Sequence, residues 1–224
     1  MKETIVISLG GSLIVPDEID IAFLRAFRAA VKSHLPGKRF IIVTGGGRTA
    51  RRYQHAAAQL GAADDTSSDW VGISATWLNA RLVQMVFGDS AEHALVTDPT
   101  ERLRSRKLVL IAGGWKPGCS TDYDAVCLAQ TSGVRTIINM SNVDFLYDKD
   151  PRRFRDAKKL THTSWGTLQK LVGTEWKAGS HAPFDPIATR KAAQLRLKLI
   201  FIGKNSANLK NVLEGKAFAG TVVE

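Results

Sequence analysis

The sequence has few cysteines and no long apolar run, and both shortages exclude whole classes of protein. Its 224 residues include two cysteines, Cys119 and Cys127, which are too few for a disulfide framework. The five histidines are scattered and no CxxC pair occurs, so no zinc motif is present. The apolar stretch in MKETIVISLGGSL is too short for a signal peptide, and no run approaches the length of a membrane span. We predict a cytoplasmic protein without a membrane partner.

Negative charge is also in short supply. The chain has 31 Lys and Arg against 21 Asp and Glu, which gives a formal net charge of +10. Such a balance suits a phosphorylated or polyanionic ligand, although it is also compatible with simple solvation. The basic stretches RLRSRK and RRFRDAKK lack regularly interleaved aromatics and any helix-turn-helix or zinc signature. A nucleic-acid partner is therefore not favoured.

Strand-like and helix-like segments alternate along the whole chain. The β-branched runs predict strands, and the 3.6-residue apolar periodicity predicts helices. The strands are expected at Thr4 to Leu9, Phe40 to Thr44, Lys107 to Ala112, Thr136 to Met140 and Leu197 to Ile202, and the helices at Ile21 to Leu35, Asp122 to Ser132, Asp185 to Leu195 and a last segment through Glu214. Parallel strands need crossover helices, so this order predicts an α/β fold with a mostly parallel sheet. No linker or repeat divides residues 1–224, which we take as one domain.

Three of the predicted strands end in glycine turns, which read LGGS, TGGGR and AGGWKPGCST. A glycine turn that enters a helix exposes unpaired backbone N–H groups at the positive end of the helix dipole. One such turn could be an ordinary tight turn between a strand and a helix, with its arginines in solvent. Three at the carboxyl edge of one sheet, where α/β proteins bind ligands, indicate a phosphate cradle. Neither GxxxxGK[ST] nor GxGxxG is present.

The ordered motifs ISLGGS, VTGGGRTARRY, SDWVGISATWLNARL, GGWKPGCSTD, SNVDFLYDKDP, DPIATRKA and FIGKNSANLKNVLEG resemble the amino acid kinase superfamily, and within it the UMP kinases of the archaeal and bacterial type. The resemblance covers essentially the whole chain. It implies a three-layer αβα sandwich, a hexamer built from dimers, and Mg²⁺-dependent transfer of the ATP γ-phosphoryl group to UMP. It also implies an acceptor-binding lobe mainly in residues 1–135 and an ATP-binding lobe mainly in residues 136–224.

The same resemblance assigns roles to individual residues. On the ATP side it implies Gly10, Gly11, Ser12, Gly47, Arg51, Ser141, Asn142, Tyr147 and Asp150. On the UMP side it implies Gly46, Asp69 and the loop of Trp115, Lys116, Pro117, Gly118, Cys119, Ser120 and Thr121. Arg51 would contact the phosphate of UMP, and Asp122 would lie beside the transferring phosphoryl group. Mg²⁺ would be held mainly by the nucleotide phosphates, so no protein metal site is assigned.

The sequence departs from the family pattern at three positions. Ser8 stands where many members carry a first-strand lysine. Mg²⁺ with Arg48, Arg51 or Lys204 could supply the catalytic charge instead, and we favour Lys204 because it follows a predicted strand at the same sheet edge. Phe145 replaces a usual glycine beside the expected adenine pocket. Asp124 replaces a small residue; it could bind metal with Asp122 or face solvent, and we favour solvent.

Two features have structural alternatives. Asp69 is expected to accept hydrogen bonds from the ribose, but it could also be the N-cap of a helix from Trp70 to Val86. The aromatic and aliphatic residues along that helix are expected to form core and a dimer seam. Two other functions stay open: a different small-molecule kinase, and a member of the family that binds anions without turnover.

Overall fold

The computed structural model describes residues 2–61, 64–151, 153–175 and 182–224. Arg152, in the second basic stretch, lies outside these ranges. Within them, no helix combines the length and hydropathy that crossing a bilayer requires.

A seven-stranded sheet forms the centre of the fold, and its strands run in the spatial order β3-β2-β1-β4-β8-β9-β7. The strands are β1 Glu3–Leu9, β2 Lys38–Thr44, β3 Val109–Ala112, β4 Thr136–Met140, β7 His162–Thr163, β8 Lys198–Ile202 and β9 Thr221–Val223, with a separate antiparallel pair of β5 Leu146–Tyr147 and β6 Lys159–Leu160. All pairs in the large sheet are parallel except β8 with β9. The carboxyl ends of β1, β2, β3, β4 and β8 therefore share one edge.

Eight α-helices connect and cover these strands in the described residues. They are α1 Gly11–Ile14, α2 Ile21–Lys32, α3 Gly47–Gln59, α4 Asp65–Phe87, α5 Thr121–Thr131, α6 Trp165–Val172, α7 Pro186–Gln194 and α8 Ser206–Leu213. Side-chain N-caps set where several begin: Asp20 accepts from the Phe23 N–H at the start of α2, and Asp185 accepts from the Ala188 N–H at the start of α7.

The apolar residues form two cores, one on each face of the sheet. Alternate residues of a strand point to opposite faces, so Ile7 of β1 joins one core and Val6 joins the other. Helices α2, α4 and α8 cover the first face, and α5, α6 and α7 cover the second. The α/β fold with a mostly parallel sheet between two helical layers, predicted from the sequence, is confirmed.

Helix α4 begins earlier than the sequence pattern predicted. Asp64 is its N-cap and accepts a hydrogen bond from the Ser67 N–H at 2.7 Å, so the helix starts at Asp65. Asp69 therefore lies inside the helix, and its interpretation as an N-cap was wrong. Apolar periodicity placed the start near Trp70 because the first turn of α4 is polar and partly exposed.

Candidate active site

The glycine turns after β1 and β2 pack directly against each other. A Cβ at Gly11 would lie 2.1 Å from the Gly47 nitrogen and 2.5 Å from the Gly45 carbonyl carbon. Gly47 has a φ of +62°, a conformation that side chains with a Cβ rarely adopt. Glycine is therefore required at both positions, and the two turns form one continuous backbone surface at the start of α1 and α3.

Helix α4 fixes the turns after β2 and β3 from the side. The Asn79 side chain donates from Nδ2 to the Gly45 carbonyl at 2.8 Å. The Thr76 hydroxyl accepts from the Gly114 N–H at 2.6 Å, and the Trp77 indole N–H donates to the Gly114 carbonyl at 2.8 Å. These bonds pair the Gly45 carbonyl and both polar backbone groups of Gly114, and they link the two turns to α4.

The loop Trp115 to Thr121, which follows the third glycine turn, is held at three points. The Gly118 N–H donates to Asp69 Oδ2 at 2.7 Å, and the Trp115 N–H donates to Asp124 Oδ2 at 3.1 Å. The Ser120 hydroxyl accepts from the Tyr123 N–H at 3.1 Å and caps α5. Asp69 thus contacts the loop that sequence reasoning assigned to the same substrate.

Asp122 lies where β1, β4 and the starts of α5 and α7 converge. Its Oδ1 accepts from the Ser8 hydroxyl at 2.9 Å and from the Asn139 amide at 3.0 Å, and its Oδ2 accepts from the Asp185 N–H at 3.3 Å. Ser8 and Asn139 are register partners on adjacent strands. Burial raises the pKa of Asp122 to about 6, with Asp185 adding a repulsive contribution.

Asp124 is fully buried, so the expectation that it faces solvent was wrong. The helix α5 turns this side chain beneath the loop that precedes it, towards the Trp115 N–H. Burial, with a smaller contribution from the charges of Asp122 and Asp185, raises the pKa of Asp124 to about 7. The pattern of polar and apolar residues in TDYDAVC did not predict the burial of Asp124. That burial depends on the loop Trp115 to Thr121, which folds over the start of α5.

The basic residues at the site differ in their partners. Arg48 pairs with Asp17 at 3.4 Å and Arg52 pairs with Glu18 at 3.9 Å, both on the surface. Arg51 lies between them on α3; it is exposed, and no ion pair or hydrogen bond engages its guanidinium within the described ranges.

Lys204 follows β8 at the same edge of the sheet. Its ammonium donates to Asp20 Oδ2 at 2.6 Å, while Asp20 Oδ1 caps α2. The lysine side chain is 57% exposed, but Asp20 engages its ammonium, so Lys204 would have to leave this ion pair to contact a phosphate.

A cleft of about 580 Å³ opens beside the glycine turns, after β4. Four of the residues that the resemblance placed on the ATP side line it, and Phe145 lies among them; the lining includes Ser141, Asn142, Phe145, Tyr147, Lys149, Asp150, Pro151, Leu171 and Pro183. The Ser141 N–H donates to the Ile202 carbonyl at 2.9 Å, which ties this loop to the end of β8. The cleft is of the size that small-molecule sites commonly have.

Metal coordination and thiol chemistry receive no support from the side chains here. In the part of the chain that the structure describes, no three His, Cys, Asp or Glu residues are placed to hold a metal ion. Burial raises the pKa of the Cys119 thiol to about 11, so it stays protonated at neutral pH.

Sequence reasoning missed the contribution of Asp185 and Asn139. Asp185 stands in the quoted motif DPIATRKA, yet it was given no role; it caps α7 and its backbone N–H supports Asp122. The Asp-Pro pair at a helix start was the available signal. Asn139 is a polar residue inside an otherwise apolar strand, TIINM, and that interruption could also have been noticed.

The family model for the amino acid kinase family matches residues 3–202. The chain is 36% identical to a uridylate kinase of Thermoplasma volcanium over 226 aligned residues, which cover 100% of this chain and 99% of that protein. It is 34% identical to a uridylate kinase of Pyrococcus abyssi, with 98% of this chain and 99% of the relative covered.

Solved structures agree with these similarities. The crystal structure of uridylate kinase from Archaeoglobus fulgidus superimposes with a TM-score of 0.85 at 32% identity, covering 100% of both chains. UMP kinase from Ureaplasma parvum superimposes with a TM-score of 0.80 at 20% identity, which shows the shared fold alone. Sequence, fold and the ordered glycine turns therefore agree that this chain belongs to the amino acid kinase family.

Proposed function

We propose that the protein is a UMP kinase, which transfers the γ-phosphoryl group of ATP to UMP and yields UDP and ADP. The observation that carries this proposal is the close packing of Gly11 against Gly47. The sheet order β3-β2-β1-β4 puts these two glycine turns between the loop Trp115 to Thr121, which follows β3, and the 580 Å³ cleft, which follows β4. A donor in the cleft and an acceptor under the loop would present their phosphates to the same backbone surface. The full-length similarity to uridylate kinases supports the choice of UMP.

The proposed division of the chain follows from this arrangement. Residues 1–135 would bind mainly the acceptor, with Gly46, Arg51 and Asp69 around its phosphate and ribose. Residues 136–224 would bind mainly the nucleoside of ATP, with Gly10, Gly11, Ser12 and Gly47 lining the phosphates between the lobes. The predicted cytoplasmic location and a place in pyrimidine nucleotide synthesis belong to the same proposal.

Phosphoryl transfer needs alignment and positive charge more than covalent chemistry. Mg²⁺, when bound to the nucleotide, would neutralise part of the phosphate charge. Arg51 would hold the acceptor phosphate with a planar guanidinium, which suits bidentate contacts. Asp122 would stay fixed beside the reacting groups, because Ser8 and Asn139 both donate to its Oδ1.

Turnover with each nucleoside monophosphate tests the proposed function. With MgATP and purified protein, we expect ADP to form with UMP and to form far more slowly with CMP or AMP. The measurement is a coupled ADP assay at saturating ATP. Equal rates with all acceptors would indicate another small-molecule kinase. Nucleotide binding without turnover would indicate a family member that only binds anions. This is the second candidate function, because Ser8 stands where many members carry a lysine.

Lys204 is the proposed source of the catalytic charge that Ser8 does not provide. We expect Lys204→Met to lower kcat by roughly a hundredfold to a thousandfold, the loss that is typical when one group that stabilises developing negative charge is removed. Asp20→Asn is the matched variant: it removes the ion pair with Lys204, while asparagine still caps α2. Unchanged turnover in Lys204→Met would remove this role, and equal losses in both variants would assign the effect to the ion pair.

We further propose that α4 forms a dimer seam and that dimers assemble into a hexamer. Trp70 is 44% exposed, Leu78 is 63% exposed and Met85 is 77% exposed along this helix. Such a row of exposed apolar side chains is typical of a surface that a partner covers.

A further inference from the structure

The surroundings of the Asp124 side chain are unfavourable for a carboxylate. Its side chain is fully buried, and in the described part of the chain its Oδ1 has no hydrogen-bond partner. Burying a carboxylate with an unpartnered oxygen costs free energy, so the presence of Asp124 at this position calls for a functional explanation. Among the described residues, the bond that its side chain accepts comes from the Trp115 N–H, at 3.1 Å.

That bond lies at the start of the loop Trp115 to Thr121. The Gly114 carbonyl and N–H are already fixed by α4, and Gly118 is fixed by Asp69, so Trp115 is the first of the three residues between these two attachments. Lys116, next along the loop, places its ammonium 3.8 Å from the centre of the Trp115 ring. The direction in which the loop leaves the sheet therefore depends on how the Trp115 peptide is held.

We propose that Asp124 is a positioning residue, which holds the Trp115 peptide from beneath and so sets the geometry with which the loop receives the acceptor monophosphate. This inference rests on the proposed function, and it assigns to the reaction a residue that departs from the family pattern. The unpartnered Oδ1 fits this role, because a carboxyl group can carry a proton on that atom while Oδ2 still accepts from Trp115. The raised pKa of Asp124, about 7, supports a group that is neutral for part of the time near neutral pH.

Two substitutions at this position separate the hydrogen bond from the charge. Asp124→Ala removes the acceptor for the Trp115 N–H, whereas Asp124→Asn removes the charge and keeps an acceptor oxygen. We expect Asp124→Ala to raise KM for UMP roughly threefold to tenfold, the usual range for one hydrogen bond, with kcat and KM for ATP little changed. Asp124→Asn should restore KM for UMP to nearly the wild-type value.

Cys127→Ala is the matched control, because Cys127 is also buried on α5 and one turn further from the loop. It should leave KM for UMP unchanged. A folded Asp124→Ala protein with wild-type KM for UMP would overturn the proposal. So would an equal rise in KM for UMP and for ATP, since that result would show general damage to the site.

Hydrogen–deuterium exchange of a peptide spanning residues 113–120 provides a measurement that needs no turnover. Exchange should be faster in Asp124→Ala than in Asp124→Asn or the wild-type protein. If the wild-type protein neither binds nor phosphorylates UMP, the proposed function fails, and this exchange series alone decides whether Asp124 holds the loop. Identical exchange in all three proteins would refute the anchoring itself.

Discussion

Arg51→Ala should lower kcat/KM for UMP by about a hundredfold, the effect expected when a charge-assisted, bidentate contact to a phosphate is lost. Arg51 is the arginine near the glycine turns whose guanidinium has no ion-pair partner within the described ranges. It is thus free to meet a phosphate without first breaking a contact. Steady-state kinetics with UMP varied at saturating MgATP gives the result directly.

Arg52→Ala is the control for this prediction, because it removes a neighbouring arginine from the same helix. The Arg52 side chain pairs with Glu18 at 3.9 Å on the surface, and such an exposed ion pair contributes little free energy. Its kinetics should therefore stay within about twofold of the wild-type protein. Similar losses in the two variants would mean that general positive potential, and not a specific contact by Arg51, attracts the acceptor.

Gly11→Ala should both destabilise the protein and abolish turnover. The new Cβ would lie 2.1 Å from the Gly47 nitrogen and 2.6 Å from the Gly45 carbonyl oxygen, and these are backbone atoms that cannot rotate away. Forcing the two turns apart should cost about 1–3 kcal/mol of unfolding free energy, which is typical of overpacking. It would also move the phosphate-binding N–H groups, so we expect kcat to fall by more than about a hundredfold.

Gly37→Ala provides the comparison for this substitution. An added Cβ at Gly37 meets nothing within 4 Å, and the residue lies in a turn far from the carboxyl edge of the sheet. Thermal unfolding and the ADP assay on both variants would separate the two positions. A stable, active Gly11→Ala protein would show that the contact between the turns is not needed for the reaction.

Local patterns in the sequence predicted the strands β1, β2, β3, β4 and β8 and the helices α2, α4, α5, α7 and α8, but they did not predict α1, α6 or the short strands β5, β6, β7 and β9. β-Branched runs alternate with helical periodicity, and such alternation admits few folds besides a parallel sheet between helical layers. The glycine turns after β1, β2 and β3 were predicted at one edge for the same reason, since parallel strands share their carboxyl ends. The ordered motifs also identified residues that line the cleft after β4, because each motif is a short contiguous stretch of the sequence.

Contacts between distant segments could not be read from these patterns. Burial of Asp124 depends on the loop that folds over α5, and the partners of Asp122 come from β1, β4 and α7, which are 17 to 114 residues away. The pairing of Lys204 with Asp20 joins residues 184 positions apart. The sequence by itself determined the five strands β1, β2, β3, β4 and β8, most of the helices and the edge that carries the glycine turns, because these follow from local periodicity. Only the tertiary structure decided which carboxylates are buried and which cations are paired, because burial and pairing depend on segments brought together by folding.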